Sequence, residues 1–489
     1  MLDYPTTKYK EVSDLQFNVV NAYGSDQDLI IRSYHPDFYV DDSTITVKGN
    51  SSETITVHFK PVHNIKYNTE LVVISNSKTG SISVDLKGDG EYDTYYNATF
   101  NLFEQDLKDE LKSVLASGYK NLGYSGARDA MYGSIDNVGG KVECVYTGRV
   151  ATFNTRSGAN SNSFNCEHTW PQSLFNQNEP ERADIHHLFP TDVNANSRRS
   201  NYSFGVVSSA TWTEGGSKLG GNVFEPRDAH KGDCARAMLY FAIRYQNYSS
   251  FLTNQESLLR TWATTYQPSQ QSIDRNNAIF NYQKNRNPFV DYPEFLDRIT
   301  SVSSTSTVAT VHRVSPSVEA INISKLSTAG SFTYQLVLTN TGNQKVLFTG
   351  FANGNSAVTF PKTAFELVPG ASHTLNIAVS PSNNVITDLI KLTSDNVNLS
   401  IPVNIAGLSG ISFLAKPVVS AVIQGDYLQI RNANQYQVRV IDSRGQQVYF
   451  NEIQSDLTEI ELTHLTSGVY FVQAIGRDQV PEVLKILIP

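Results

Sequence analysis

The rhythm of apolar and polar positions changes twice along the chain. From residue 1 to about 95 it alternates with a period of two, interrupted by turn residues. Leu29-Ile30-Ile31, Ile55-Thr56-Val57-His58-Phe59 and Leu71-Val72-Val73-Ile74 read as strands, and Gly49-Asn50 and Thr79-Gly80 as turns. This predicts a β-sandwich over 1–95. The period then lengthens. Glu104–Leu115 and Asp233–Tyr245 carry helical spacing, which predicts an α+β unit over 105–300. The Ser/Thr-rich stretch Ser301–Thr307 reads as a linker. Strand alternation returns over 305–408 and again, in a smaller β unit, over 411–489.

The two long β segments look like one unit used twice. Leu15-Gln16-Phe17-Asn18-Val19-Val20-Asn21-Ala22-Tyr23-Gly24 parallels Tyr334-Gln335-Leu336-Val337-Leu338-Thr339-Asn340-Thr341-Gly342. Thr54–Pro61 parallels Thr374–Pro381. Both copies keep an Asn shortly before a Gly, and a strand that runs into Pro. They resemble the Ig-like modules that decorate bacterial surface and secreted proteins. That resemblance implies spacers more than ligand-binding units.

In the last unit, Val438–Gln446 reads as strand–turn–strand, Leu465-Thr466-Ser467-Gly468-Val469-Tyr470-Phe471-Val472 as a turn into a strand, and Lys485-Ile486-Leu487-Ile488 as the final strand. This order resembles the C-terminal sorting domain of the type IX secretion route. Lys416-Pro417 stands where that family has Asn-Pro. The resemblance implies export by the secretion machinery and removal of this domain. The expected location is therefore secreted or cell-surface. The start, Met1-Leu2-Asp3-Tyr4-Pro5, has no apolar signal-peptide core, so export implies that a signal peptide has been trimmed. No run of 18 apolar residues reads as a membrane span.

Length and charge narrow the functional classes. A chain of 489 residues suggests three or four domains. The net charge of −8 argues against holding nucleic acid by a global basic surface. Residues 106–300, however, contain 20 Lys+Arg and 20 Asp+Glu, so the acid excess lies outside them. A neutral domain with local arginines can cleave nucleic acid without binding it tightly. Of the three cysteines, Cys144 and Cys166 flank the chemical segment. They are either a bracing disulfide or buried thiols.

The chemistry is concentrated in Asn165-Cys166-Glu167-His168-Thr169-Trp170-Pro171 and in Asp184-Ile185-His186-His187-Leu188-Phe189-Pro190, followed by Asn194–Tyr202. Adjacent residues at a strand end point in opposite directions, so Glu167 and His168 can face a metal and a water separately. The His186-His187 pair lacks the companions of a zinc site. The density of Asn and Asp favours a hard cation. Acid, base, Asn and arginines together are the parts of a one-metal phosphodiesterase.

These segments resemble the endonuclease I family, nucleases with a ββα-metal (His-Me finger) core. The match includes Arg128-Asp129-Ala130-Met131-Tyr132-Gly133, Cys144-Val145-Tyr146-Thr147-Gly148, Phe224-Glu225-Pro226, His230–Ala237 and Asn285-Arg286-Asn287-Pro288-Phe289. The resemblance implies His168 as the general base, with Glu167 and Asn196 as metal ligands. The implied ion is Mg²⁺, with Ca²⁺ or Mn²⁺ as alternatives, and the products carry 5′-phosphate ends. A Cys-rich insert that supplies a phosphate-clamping Arg in some relatives is absent, since fifteen residues separate His168 from Asp184. Arg182, Arg199 or Arg236 must then serve the phosphate, and Arg199 is favoured because it shares a predicted helix with Asn196. Asp184 and His186 are expected to orient His168 or the finger. Lys231 lies in a segment that either starts a helix near the phosphate or caps it.

The expected fold is thus a ββα-metal nuclease core between Ig-like sandwiches, with a small C-terminal β domain. The expected function is a secreted endonuclease acting on DNA and possibly RNA, through backbone contacts without sequence specificity. The alternative is a surface-binding or adhesive protein with a vestigial nuclease core. Intact Glu167, His168 and Asn196 argue against it.

Overall fold

The computed structural model describes residues 1–489 except 76, 325–329, 409–419, 425–426, 432–435, 443–446, 454–456, 463–464, 466–467, 476–481 and 489. Lys416-Pro417 and the turns expected at 443–446 and 466–467 lie outside the described residues.

The first β segment folds as two facing sheets. One orders Leu2–Asp3, Ser81–Glu91, Lys66–Ser75, Gln27–Ser33 and Thr44–Val47; the other orders Ser13–Asn21, Ser51–Phe59 and Phe38–Tyr39. Leu29, Ile31, Val57, Phe59, Leu71 and Leu86 meet between them. The second long β segment repeats this with Phe332–Asn340 paired to Ser372–Val379, facing a sheet built on Ile386–Thr393 and Asn398–Ile405.

The repeated Asn has a physical purpose. Asn21 Nδ2 donates to the carbonyls of Ser25 and Val47, while its Oδ1 accepts the Tyr23 N–H. Asn340 Nδ2 donates to Gln344 and Leu367, and its Oδ1 accepts the Gly342 N–H. In both copies one buried amide satisfies a loop that would otherwise leave backbone groups unpaired.

The sandwiches are not free spacers. Tyr92 at the end of the first stacks on Tyr292 of the central region at 3.7 Å. Tyr9 donates to Glu294 at 2.7 Å, and the buried Arg298 guanidinium donates to Asn64 at 2.7 Å. The second sandwich turns back onto the first. Val72, Ile74 and Val337 form one small core, and Ser81 hydrogen-bonds Ser317 at 2.8 Å. Gly80, the predicted turn, is the close-approach point. Its φ is +78°, and a Cβ there would sit 2.3 Å from the Gln335 carbonyl.

The central region contains helices α1 (Glu104–Ala116), α2 (Gly123–Ala130), α3 (Val193–Arg199), α4 (Asp228–Arg244), α5 (Glu256–Thr265) and α6 (Gln270–Gln283), and a two-stranded hairpin of β1 (Phe164–His168) and β2 (Leu188–Asp192). The pair runs antiparallel from Phe164↔Asp192 to His168↔Leu188. Helix α4 is buried on nearly all sides, with Met238, Leu239, Tyr240, Phe241 and Ile243 fully enclosed. It begins earlier than the predicted Asp233, so His230 and Lys231 are helical.

Ser301–Thr307 is tied down as far as the buried Ser306 instead of acting as a flexible linker. The Glu256 carboxylate on α5 accepts the Val302 N–H at 2.6 Å, the Ser303 N–H at 2.9 Å and the Ser301 hydroxyl at 3.3 Å. Lys108 donates to the Ser301 carbonyl at 3.0 Å. Polar composition alone suggested freedom, but side-chain anchors on α1 and α5 use those same polar groups. Glu256→Ala orphans two partly buried N–H groups and should destabilise the central region by about 2–4 kcal/mol. A matching drop in its urea-unfolding midpoint checks this.

Candidate active site

Strand β1 ends on Glu167 and His168 because Trp170 is locked immediately after them. The indole is fully buried and stacks on Phe241 of α4 at 4.8 Å. Pro171 then starts a short 3₁₀ turn over Gln172–Phe175. At the end of β2, the Asp192 carboxylate caps α3 by accepting the Ala195 N–H at 2.8 Å. Hairpin and helix therefore meet with Glu167 and Asn196 on adjoining elements.

The Glu167 carboxylate is 2 % exposed. Its Oε1 accepts the Tyr146 hydroxyl at 2.7 Å and lies 3.2 Å from Arg199 Nε. Burial pushes the carboxyl up, while Arg199 and Tyr146 pull it down. Oε2 has no donor among the described residues, and the half-buried Asn196 amide has no hydrogen bond there either. A desolvated carboxylate with one oxygen unengaged, and an unengaged amide on the adjoining helix, are the oxygen donor types of a hard cation that keeps several waters. Among the described residues no group of three or more His, Cys, Asp or Glu forms a zinc-type cage.

His168 Nε2 lies 3.2 Å from the Arg182 carbonyl oxygen. A carbonyl only accepts, so Nε2 carries the hydrogen and the neutral ring keeps its lone pair on Nδ1. Burial, the neighbouring His187, and the Arg182 and Arg128 charges hold the imidazole well below its usual pKa. A neutral imidazole with a free Nδ1 can take a proton from water.

Several expected site residues do other work. Arg199 is fully buried, and its guanidinium also donates to the carbonyls of Thr169 at 2.8 Å and Ser200 at 3.0 Å. It braces Glu167 and cannot clamp a phosphate, which corrects the favoured expectation. Arg236 is buried too, donating to Tyr266 at 2.6 Å and Asp233 at 2.8 Å. Lys231 is paired with Glu225 at 2.8 Å and Asp228 at 2.7 Å. These three cations are engaged by the protein's own acceptors, which offsets part of the cost of enclosing a charge.

Asp184 does not touch His168. It accepts from Tyr240 at 2.7 Å, Tyr245 at 2.9 Å and Gln283 at 2.8 Å, and it caps the turn bearing His186. His186 donates to the Asn285 carbonyl at 3.1 Å. Both order the loop after Arg182 instead of orienting the base directly. Cys144, Cys166 and Cys234 are free and buried, so the bracing disulfide is not formed. Burial pushes the Cys166 thiol up to about 12. Arg182 is the one expected arginine beside His168. Tyr146, Tyr124 and Arg128 had no role assigned from sequence, although Tyr146 and Arg128 lie inside matched motifs. Only their packing reveals their contacts.

The Endonuclease I family matches residues 103–294. An extracellular ribonuclease of Bacillus subtilis (strain 168) is 32% identical over 227 residues, covering 42% of this chain and 78% of the relative. The chain belongs to the endonuclease I family. An extracellular ribonuclease of Bacillus amyloliquefaciens is 31% identical, covering 45% of this chain and 82% of that protein. An extracellular deoxyribonuclease of Aeromonas hydrophila is 30% identical over 122 residues, covering 24% of this chain and 52% of that protein. An Ig-like domain of the HYDIN/CFA65/VesB-like type matches 313–404, and a secretion system C-terminal sorting domain matches 424–488.

This endonuclease I family member is therefore a secreted or cell-surface nuclease. It joins an α/β nuclease region to β-rich Ig-like domains. Nucleases of the family generally depend on a divalent metal. The vestigial, purely adhesive alternative gives way to this assignment.

The buried histidines predict acid lability. Burial holds His186 and His187 at about 4 and His230 at about 3, against 6.5 for the free side chain. Between pH 6.5 and 4 the unfolded chain takes up protons that the native state refuses, so stability falls as pH drops through that window. Each histidine should cost about 2 kcal/mol at pH 5. Urea midpoints at pH 7, 6 and 5 measure the slope, and His230→Leu should make it shallower.

Proposed function

We propose that the protein is a one-metal endonuclease with a ββα-metal core, hydrolysing phosphodiester bonds of DNA and RNA to leave 5′-phosphate and 3′-hydroxyl ends. The observation that carries this reading is the His168 ring, fixed with Nδ1 free beside a braced, half-satisfied Glu167. β1, β2 and α3 are the two strands and the helix of the finger. Relatives named for ribonuclease and deoxyribonuclease activity support a substrate range that includes both polymers.

Glu167 and Asn196 would hold Mg²⁺, or Ca²⁺ or Mn²⁺ in its stead. When bound, the ion supplies positive charge to the scissile phosphate and to the leaving 3′ oxygen. His168 Nδ1 removes a proton from the attacking water, while the Arg182 carbonyl keeps the ring in the required tautomer and orientation. Tyr146 and Arg199 hold Glu167 ionised and aligned, so the carboxylate does not reorganise during turnover. The nuclease region carries no net positive charge, and this favours brief backbone contacts with little sequence selectivity.

Plasmid and RNA cleavage with Mg²⁺ should vanish with EDTA, and His168→Ala should lower the rate about 10²–10⁴-fold. Products should ligate without prior kinase treatment. Cleavage that persists in His168→Ala refutes the base assignment, and products that need kinase treatment refute the proposed polarity.

A further inference from the structure

Tyr124, in the first turn of α2, carries two guanidinium groups on its ring. Arg128, one turn farther along α2, has its Cζ 4.0 Å from the ring centroid. Arg182, from the 3₁₀ turn before Asp184, has its Cζ 4.4 Å from the same centroid. The His168 ring is 5.3 Å from this tyrosine. The two charges therefore lie within about 8 Å of each other, less than the screening length of ~10 Å at 0.1 M salt.

Neither guanidinium has an ion-pair partner among the described residues, unlike Arg199, Arg236, Arg275 and Lys231. Nearby acids are engaged elsewhere. Asp129 pairs with Arg156 at 2.7 Å, Glu179 accepts the Tyr124 N–H at 3.0 Å, and Glu181 accepts the Tyr248 hydroxyl at 3.1 Å. The Nε atoms of Arg128 and Arg182 are buried without a hydrogen-bond acceptor. Two like charges, part-buried and without an ion pair, are a costly arrangement to hold beside one histidine. Stacking on an aromatic face holds a guanidinium in place and leaves its donor fork available to an oxyanion.

We propose that Arg128 and Arg182, held on Tyr124, together bind the non-bridging oxygens of the phosphodiester attacked beside His168. This deepens the proposed function and rests on His168 as the base. The planar forks supply charge-assisted hydrogen bonds to the phosphate as charge grows on its oxygens. Tyr124 is a positioning residue that sets the separation of the two forks.

The test compares Arg128→Ala, Arg182→Ala, Tyr124→Leu and the exposed Arg198→Ala on a short single-stranded oligonucleotide. Arg128→Ala and Arg182→Ala should each lower kcat/KM about 10²-fold. Each should also reduce the slope of log kcat/KM against log salt by about 0.7, as expected for one lost single-strand phosphate contact. Arg198→Ala should change neither. Binding of inorganic phosphate to the metal-free protein, followed by calorimetry, should weaken at least tenfold in both arginine variants. Lowered activity with wild-type salt slope and phosphate affinity would overturn the clamp, leaving the arginines as supports for the His168 pocket. Unchanged kinetics and phosphate binding would overturn it as well. If the wild type fails to cleave but its phosphate binding depends on both arginines, the nuclease mechanism fails while the anion clamp stands.

Discussion

The buried contact between Arg199 and Glu167 is the constraint on which the site depends. It ties the last turn of α3 to the end of β1, the two elements that also carry Asn196 and His168. Removing one partner of such a pair leaves an uncompensated charge in the interior, at a cost of about 3–5 kcal/mol. Tyr146 closes the arrangement from a third segment. The carboxylate thus has one oxygen committed to the protein and one left over. That division suits a group which must stay ionised, stay still and still bind something else.

Behind this pair, Asp184 serves as a second polar hub. Tyr240 and Tyr245 from the α4 segment and Gln283 from α6 all donate to it. The hub fixes the loop whose Arg182 carbonyl holds the His168 ring and whose His187 packs beside it. A fully satisfied network in a low-dielectric core is rigid, whereas an unsatisfied one would be costly. The helical layer therefore reaches the chemistry through backbone placement, and none of the Asp184 donors contacts His168. The sandwiches extend the same logic outward: Tyr92, Tyr292 and Arg298 weld the first to the nuclease region, and the second closes back on it at Gly80.

Strand alternation, helical spacing and the paired Asn-Gly repeat were legible in the sequence, because they reflect local periodicity and local loop satisfaction. Asn21 and Asn340 are read correctly from one segment at a time, since each serves its own loop. Glu167, His168 and Asn196 were singled out as candidates by short motifs and by the family those motifs resemble, and the structure places them on a strand end and the adjoining capped helix. The anchoring of Ser301–Thr307 and the packing of the first sandwich on the nuclease region were not legible locally, because their polar and aromatic groups are matched by partners more than 40 residues away.

The sequence by itself determined which residue types could do the chemistry and which elements carry them. Only the tertiary structure decided which cation does what. Arg199, Arg236 and Lys231 look like phosphate ligands in a string of letters, yet each is neutralised by an acid or a carbonyl brought up by packing. Arg128 and Arg182 lie 54 residues apart and meet on one tyrosine ring beside His168, with no ion-pair partner among the described residues. A charge is free for substrate only when the fold leaves it unpaired, and pairing is a property of three-dimensional neighbours.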